Sequence, residues 1–151
     1  MAFGSMFVLK EASVRRRCVA AIQEACDYAA RYGILLALEN HGGIVATVEQ
    51  MLTLIKDVKH DSFGVNLDTG NFHGVDPYAD LALIAPYAVV VQLKTEIRAR
   101  ERMVEEADLA RLVGILRRAR YSGYVALEYE AAENPKTAVP RYLAELRKLL
   151  R

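Results

Sequence analysis

Glu39, Asp68, Gln92 and Glu128 each stand at or near the end of a short apolar run, and each carries a side-chain oxygen that can hold a metal. The runs are residues 34–39, 63–68, 88–94 and 124–128. The first continues into Asn40-His41-Gly42-Gly43 and the second into Thr69-Gly70-Asn71. Apolar runs of this length, bounded by turn or helix signals, read as strands of a covered parallel sheet. In such sheets ligands and catalytic groups gather at the carboxyl ends of the strands.

The elements that must position these residues are legible in the same way. Residues 12–32 predict a helix, with Val14, Cys18, Ala21, Ile22, Ala25, Cys26 and Ala29 as its apolar stripe and Gly33 as its stop. Thr47 and Gln50 make a capping box that opens a helix running to about Val58. Asp76-Pro77 pairs an N-cap with a proline at the first helical position, predicting a short helix to about Ile84. Residues 95–106 are charged and without period, and read as a long loop of the kind that often forms a lid. A helix over residues 108–120 precedes the fourth strand. The last helix is expected over 137–150, with Pro140 in its first turn. The order is helix and strand in strict alternation, in units of about 30 residues, and right-handed crossovers make such a sheet parallel. Four strands are too few to close a barrel, which takes about eight strands and ~250 residues.

Length and composition fit one domain over residues 1–151, with 53% hydrophobic and 26% charged residues excluding a disordered chain. Residues 1–11 read as a flexible or vector-derived leader, with a second start at Met6. A formal net charge of +1 gives no reason to expect nucleic acid. The arginine clusters read as solvated helix faces. Cys18 and Cys26 lie about two helical turns apart, ~12 Å, too far for a disulfide. Buried free thiols in a reducing cytoplasm are the expectation. No run is apolar over the 18 or so residues that a membrane span needs.

The stretches Leu38-Glu39-Asn40-His41-Gly42-Gly43, Asn66-Leu67-Asp68-Thr69-Gly70-Asn71, Val91-Gln92-Leu93-Lys94 and Gly123-Tyr124-Val125-Ala126-Leu127-Glu128-Tyr129-Glu130 carry a resemblance, as does the helix leading into the last of them. Over residues 12–150 the chain resembles the carboxyl-terminal half of the xylose-isomerase-like (β/α)8 barrels. That group includes sugar phosphate isomerases and epimerases, ketose 3-epimerases, inosose dehydratases and the family-2 apurinic endonucleases. The fold implied is α/β, a parallel (β/α)4 half of a TIM barrel.

In the epimerases of this family Glu, Asp, His and Glu from the last four barrel strands hold one divalent metal. Those positions match Glu39, Asp68, Gln92 and Glu128. The resemblance implies that Glu39 and Glu128 are also the acid/base pair, one removing a proton next to a carbonyl and the other returning one. It further aligns Arg98 and Asn71 with substrate-binding positions. His41 is added as a candidate for a substrate hydroxyl and Lys94 for a substrate phosphate or carboxylate, with a bare surface histidine and a solvated strand-end lysine as the alternatives. Tyr129 and Glu130 are candidates to line the mouth.

Gln92 departs from the family by putting an amide where an imidazole is expected. An all-oxygen donor set suits magnesium, calcium or manganese better than zinc, and manganese or magnesium is the expected cofactor. Three carboxylates held close together repel one another without a cation. The alternatives are a lost metal site, glutamates that cap helices or pair with arginines, and Asp68 as a turn residue. With three histidines, none at a strand end, the chain lacks the ligands of the endonucleases' zinc cluster.

Two function classes follow: a metal-dependent sugar or sugar phosphate isomerase/epimerase, or a noncatalytic barrel half that binds a ligand or only assembles. The expected partners are a small sugar or polyol, and either a second copy of the chain or a missing amino-terminal half. Nucleic acid and membrane are not expected. The inner sheet face is expected to be apolar, drawn from Leu36, Leu38, Val65, Leu67, Val89, Val91, Val125 and Leu127.

Overall fold

The computed structural model describes residues 12–100 and 103–151. The expectation for residues 1–11 lies outside them. Helix α1 (Ala12–Ala30) leads into β1 (Leu36–Glu39), α2 (Val48–Val58), β2 (Phe63–Asp68), α3 (Pro77–Ile84) and β3 (Ala88–Lys94). After β3 come β4 (Glu96–Ile97), β5 (Glu105–Glu106), α4 (Leu109–Arg118), β6 (Val125–Glu128) and α5 (Pro135–Leu149). The main sheet has four strands in the order β1-β2-β3-β6, all parallel. This is the expected (β/α)4 arrangement.

The starts of the helices follow from their caps. Thr47 Oγ1 accepts from the Gln50 amide at 3.3 Å, and the Thr47 amide donates to Gln50 Oε1 at 3.1 Å. Asp76 and Asp108 accept from amides of the first turns of α3 and α4. Helix α5 starts two residues before its expected position, because Asn134 Oδ1 accepts from the Lys136 amide at 3.0 Å and Pro135 takes the first helical position. Pro140 therefore lies inside the helix. Strand β1 is shorter than expected. The Ile34 amide still donates to the Ala29 carbonyl at 3.1 Å, and sheet bonding begins only at Leu36, which donates to Ser62 at 2.8 Å.

The segment expected as a free loop is partly pinned. Glu96 pairs with Glu106 and Ile97 with Glu105 in a two-residue antiparallel ladder. Ile97 is buried, and the Arg100 amide donates to the Gly74 carbonyl at 2.8 Å.

Period-two alternation divides the sheet into two chemically distinct faces. Val65, Leu67, Val91 and Leu93 are at most 1% exposed and join Met51, Leu54, Ile84, Leu112 and Val113 in the core beneath the helices. Leu38, Val125 and Leu127 pack against that core. These strand residues therefore face the helices and not the inner side, which corrects the expectation for Leu38, Val65, Leu67, Val91, Val125 and Leu127. An apolar side chain next to Glu39 or Asp68 in sequence must point the opposite way.

A β-bulge sets the phase of β3. Val65 pairs with Ala88, but Asn66 pairs with Val90, so Val89 is the extra residue. A methyl group at Gly64 would collide with the Val89 side chain, which shows that Val89 leans over the inner face. Without the bulge Asp68 would lie opposite Val91. With it, Asp68 pairs with Gln92.

Cys26 is buried and Cys18 half-buried, both as free thiols. Among the described residues no helix is long and apolar enough to cross a membrane.

Candidate active site

The inner face carries a polar row at the carboxyl ends of its strands. Asn66 Nδ2, from β2, donates to Glu39 Oε2 on β1 at 3.4 Å and also to Gln92 Oε1 on β3. Gln92 Nε2 donates onward to Glu128 Oε2 on β6 at 3.1 Å. Two amides thus connect the two glutamates across all four strands. Neither glutamate caps a helix or pairs with an arginine among the described residues.

Asp68 is the buried member of the group, with its side chain 1% exposed. Asn40 brackets its backbone: Asn40 Oδ1 accepts from the Asp68 amide and Asn40 Nδ2 donates to the Asp68 carbonyl, both at 2.9 Å. Asp68 Oδ1 accepts from the Gly70 amide at 2.8 Å. Among the described residues its Oδ2 is buried with no hydrogen-bond partner, as is Asn66 Oδ1. Burial pushes the Asp68 carboxyl up to about 6. The Gly70 amide and Lys94 oppose the rise, while Glu128 and Glu39 add to it.

Lys94 reaches into the same place. Its Nζ lies 2.5 Å from Glu130 Oε2, 3.2 Å from Glu128 Oε1 and 3.6 Å from Asp68 Oδ2. Burial by itself would lower this ammonium, but its hydrogen bond to Glu130 and the nearby Asp68 and Glu128 leave it raised. Gly70 makes room for the lysine stem, since a Cβ there would meet Lys94 Cγ at 2.8 Å. Thr69 Oγ1 accepts from the Lys94 amide at 2.9 Å.

Asn71, Lys94 and Arg98 line one cavity of about 240 Å³ beside the row, together with Gly70, His73 and Glu130. The Asn71 Nδ2 atom is buried without a partner among the described residues. His41 is exposed on the loop after β1, and its amide donates to the Glu39 carbonyl at 3.0 Å. Tyr129 does not line the mouth. It alternates with Glu128 and Glu130, its hydroxyl donates to the Glu133 carbonyl at 3.0 Å, and its ring packs near Tyr142.

Sequence reasoning assigned no role to Asn40 or Asn66. One fixes the backbone of Asp68 and the other carries the cross-strand bonds. The signal that could have found Asn66 is its place two residues before Asp68, on the same face of β2.

Among the described residues no three His, Cys, Asp or Glu side chains stand as a ready metal cage. The donor set still fits a hard divalent cation. Among the described residues Asp68 Oδ2 is an orphaned, buried acceptor, and Asp68 and Glu128, with Glu130, already gather around one positive charge, the Lys94 ammonium. The oxygens to hold such an ion would come from Glu39, Asp68, Glu128 and the Gln92 amide.

A parallel half barrel with carboxylates along its strand ends defines a class of α/β proteins. Residues 6–149 match the family model described as the xylose isomerase-like TIM barrel. The chain belongs to that family. No curated protein matches significantly.

Solved structures share the fold. A xylose isomerase domain protein from Planctomyces limnophilus is 19% identical with a TM-score of 0.75, over 99% of this chain and 58% of that one. A xylose isomerase-like TIM barrel protein from Mycobacterium smegmatis, in complex with magnesium, is 22% identical with a TM-score of 0.75, over 99% and 54%. A 3-keto-D-glucoside 4-epimerase from E. coli is 20% identical with a TM-score of 0.72, over 97% and 61%. The chain therefore spans about half to three-fifths of the length of these structures.

Proposed function

We propose that the chain is the metal-binding half of a sugar or sugar phosphate isomerase/epimerase that moves a proton next to a carbonyl. The observation that carries this reading is the row in which Asn66 and Gln92 bridge Glu39 and Glu128 on the open face. Carboxylates whose orientation is set by amide donors are suited to act as general base and general acid. In this reading one glutamate removes the proton and the other supplies one. Asp68 holds charge and does not transfer it. A divalent cation, manganese or magnesium in preference to zinc, would polarise the substrate carbonyl and offset the negative charge that grows on its oxygen.

The substrate is a small sugar or polyol-type compound. His41, Asn71, Lys94 and Arg98 are its candidate contacts, and three of the four share the cavity beside the row. The likeness to the E. coli 3-keto-D-glucoside 4-epimerase supports this substrate class.

Proton exchange is the test. With Mn²⁺ in deuterated water, the chain should wash deuterium into the carbon next to the carbonyl of a ketose, read by NMR. Glu39→Gln and Glu128→Gln should each abolish the exchange. Retained exchange in both variants would overturn the assignment.

A second reading, a barrel half that only assembles, has its own support. On the inner face Ala37, Val89 and Val90 are half-buried and Ala126 is exposed, with no layer above them among the described residues. Strands β1 and β6 are open edges. Open edges and uncovered faces favour pairing with another chain. A homodimer, or a complex with an amino-terminal half, would cover both. Sedimentation equilibrium distinguishes a dimer from a 16.8 kDa monomer.

A further inference from the structure

We propose that Lys94 is the resident cation of the candidate metal site, and that a divalent ion binds by displacing its ammonium from among Asp68, Glu128 and Glu130. The inference rests on the assignment of Glu39, Asp68, Gln92 and Glu128 as cation donors.

The geometry gives three grounds. First, the Lys94 side chain is only 12% exposed, and its Nζ lies within 3.6 Å of three carboxylates, one on β2, one on β6 and one just beyond β6. A primary ammonium has three protons, and here three anionic acceptors surround it.

Second, the fit is incomplete at Asp68. At 3.6 Å the ammonium compensates the charge of Asp68 Oδ2, yet that atom has no hydrogen-bond partner among the described residues. A buried carboxylate oxygen left in this state favours a smaller, more highly charged ion.

Third, the lysine is steered there. Thr69 fixes its backbone amide, and Gly70 leaves the space through which its stem passes. The cavity of about 240 Å³ lined by Gly70, Asn71, His73, Arg98 and Glu130 adjoins Lys94 and gives a displaced ammonium room.

A divalent ion on the Asp68 and Glu128 oxygens would stand a few ångströms from the Lys94 ammonium, and like charges that close repel strongly where water is scarce. Metal loading is therefore an exchange. The ion enters, the ammonium leaves Asp68 and Glu128, and Lys94 moves into the cavity where a substrate would lie. The metal affinity of the native chain is the affinity of the oxygens reduced by the hold of Lys94 on them.

The test uses Mn²⁺ titration calorimetry at fixed pH on the native chain and on Lys94→Met. The variant should bind Mn²⁺ at least about tenfold more tightly, because the competing charge is gone. It should also gain more thermal stability from Mn²⁺ than the native chain gains, since its metal-free form has an uncompensated Asp68. Equal or weaker binding by the variant, with Mn²⁺ bound by the native chain, overturns the exchange and leaves the metal assignment standing. No binding by either protein overturns both.

A second measurement avoids the variant. In the native chain with ¹⁵N-labelled lysine, the Lys94 ammonium resonance should be protected without metal and exchange rapidly with water once Mg²⁺ saturates the site. A resonance that does not change at saturation overturns the proposal.

Discussion

Asp68→Asn should stabilise the metal-free chain at neutral pH. Asp68 is an acid held at about 6 instead of its ordinary 3.8, chiefly by burial. The folded chain therefore binds this proton more tightly than the unfolded chain does. Stability from the group is complete below pH 3.8, falls as pH rises from 3.8 to about 6, and is absent above that. The rise corresponds to about 3 kcal/mol. The attraction of Lys94 is already contained in that figure, because it opposes the rise. Asparagine is close in shape to the protonated acid and keeps an oxygen for the Gly70 amide, so it should recover most of this energy above pH 6.

Urea unfolding in the presence of a chelator measures it. At pH 7.5 the variant's midpoint should exceed the native midpoint by roughly 1–2 M, given a typical dependence on urea for a domain of this size. The difference should shrink towards zero by pH 4. A variant less stable than the native chain at pH 7.5, or a difference that does not change with pH, would refute the claim that Asp68 is held as a strained, buried anion.

Two further outcomes follow from the same geometry. Asn40→Ala leaves the buried amide and carbonyl of Asp68 without partners, and should cost roughly 2–3 kcal/mol in urea unfolding; an unchanged midpoint would mean that the bracket contributes nothing. Gln92→His puts an imidazole nitrogen in place of an amide oxygen, and should tighten Zn²⁺ binding at least about tenfold in competition with a chelator; unchanged affinity would take Gln92 out of the donor set.

The parallel sheet and the ends of β2 and β3 were readable from the sequence because turn and cap residues bracket their apolar runs. Thr47, Asp76 and Asp108 fixed the starts of their helices through local hydrogen bonds, which depend only on neighbours in the chain. What failed depends on backbone hydrogen bonds that residue types do not signal. Ile34 and Leu35 are as apolar as the rest of their run, yet the end of α1 holds the Ile34 amide. The ladder of Glu96–Ile97 with Glu105–Glu106 is two residues long, too short to show an alternation.

The inner face was misjudged because hydrophobicity was weighed without phase. Leu38 and Glu39 are adjacent, so they cannot both point inward. The strand-end carboxylates were visible as residue types. Their linkage was not, since Asn66 meets Glu39 and Gln92 only after three strands pair, and only the bulge at Val89 brings Gln92 beside Asp68. Lys94 was read as a candidate to face a substrate phosphate or carboxylate, with a solvated strand end as the alternative; its side chain is 12% exposed and lies among three carboxylates, so the solvated reading fails.

Electron paramagnetic resonance of Mn²⁺ titrated into the chain tests the central assignment most directly, because it counts bound ions without requiring the substrate. One Mn²⁺ per chain is expected, with binding weakened at least about tenfold in Asp68→Asn and in Glu128→Gln, each of which removes one anionic donor. Absence of bound Mn²⁺ at millimolar concentration, or binding that both variants retain undiminished, would contradict a metal centre built on these strand ends.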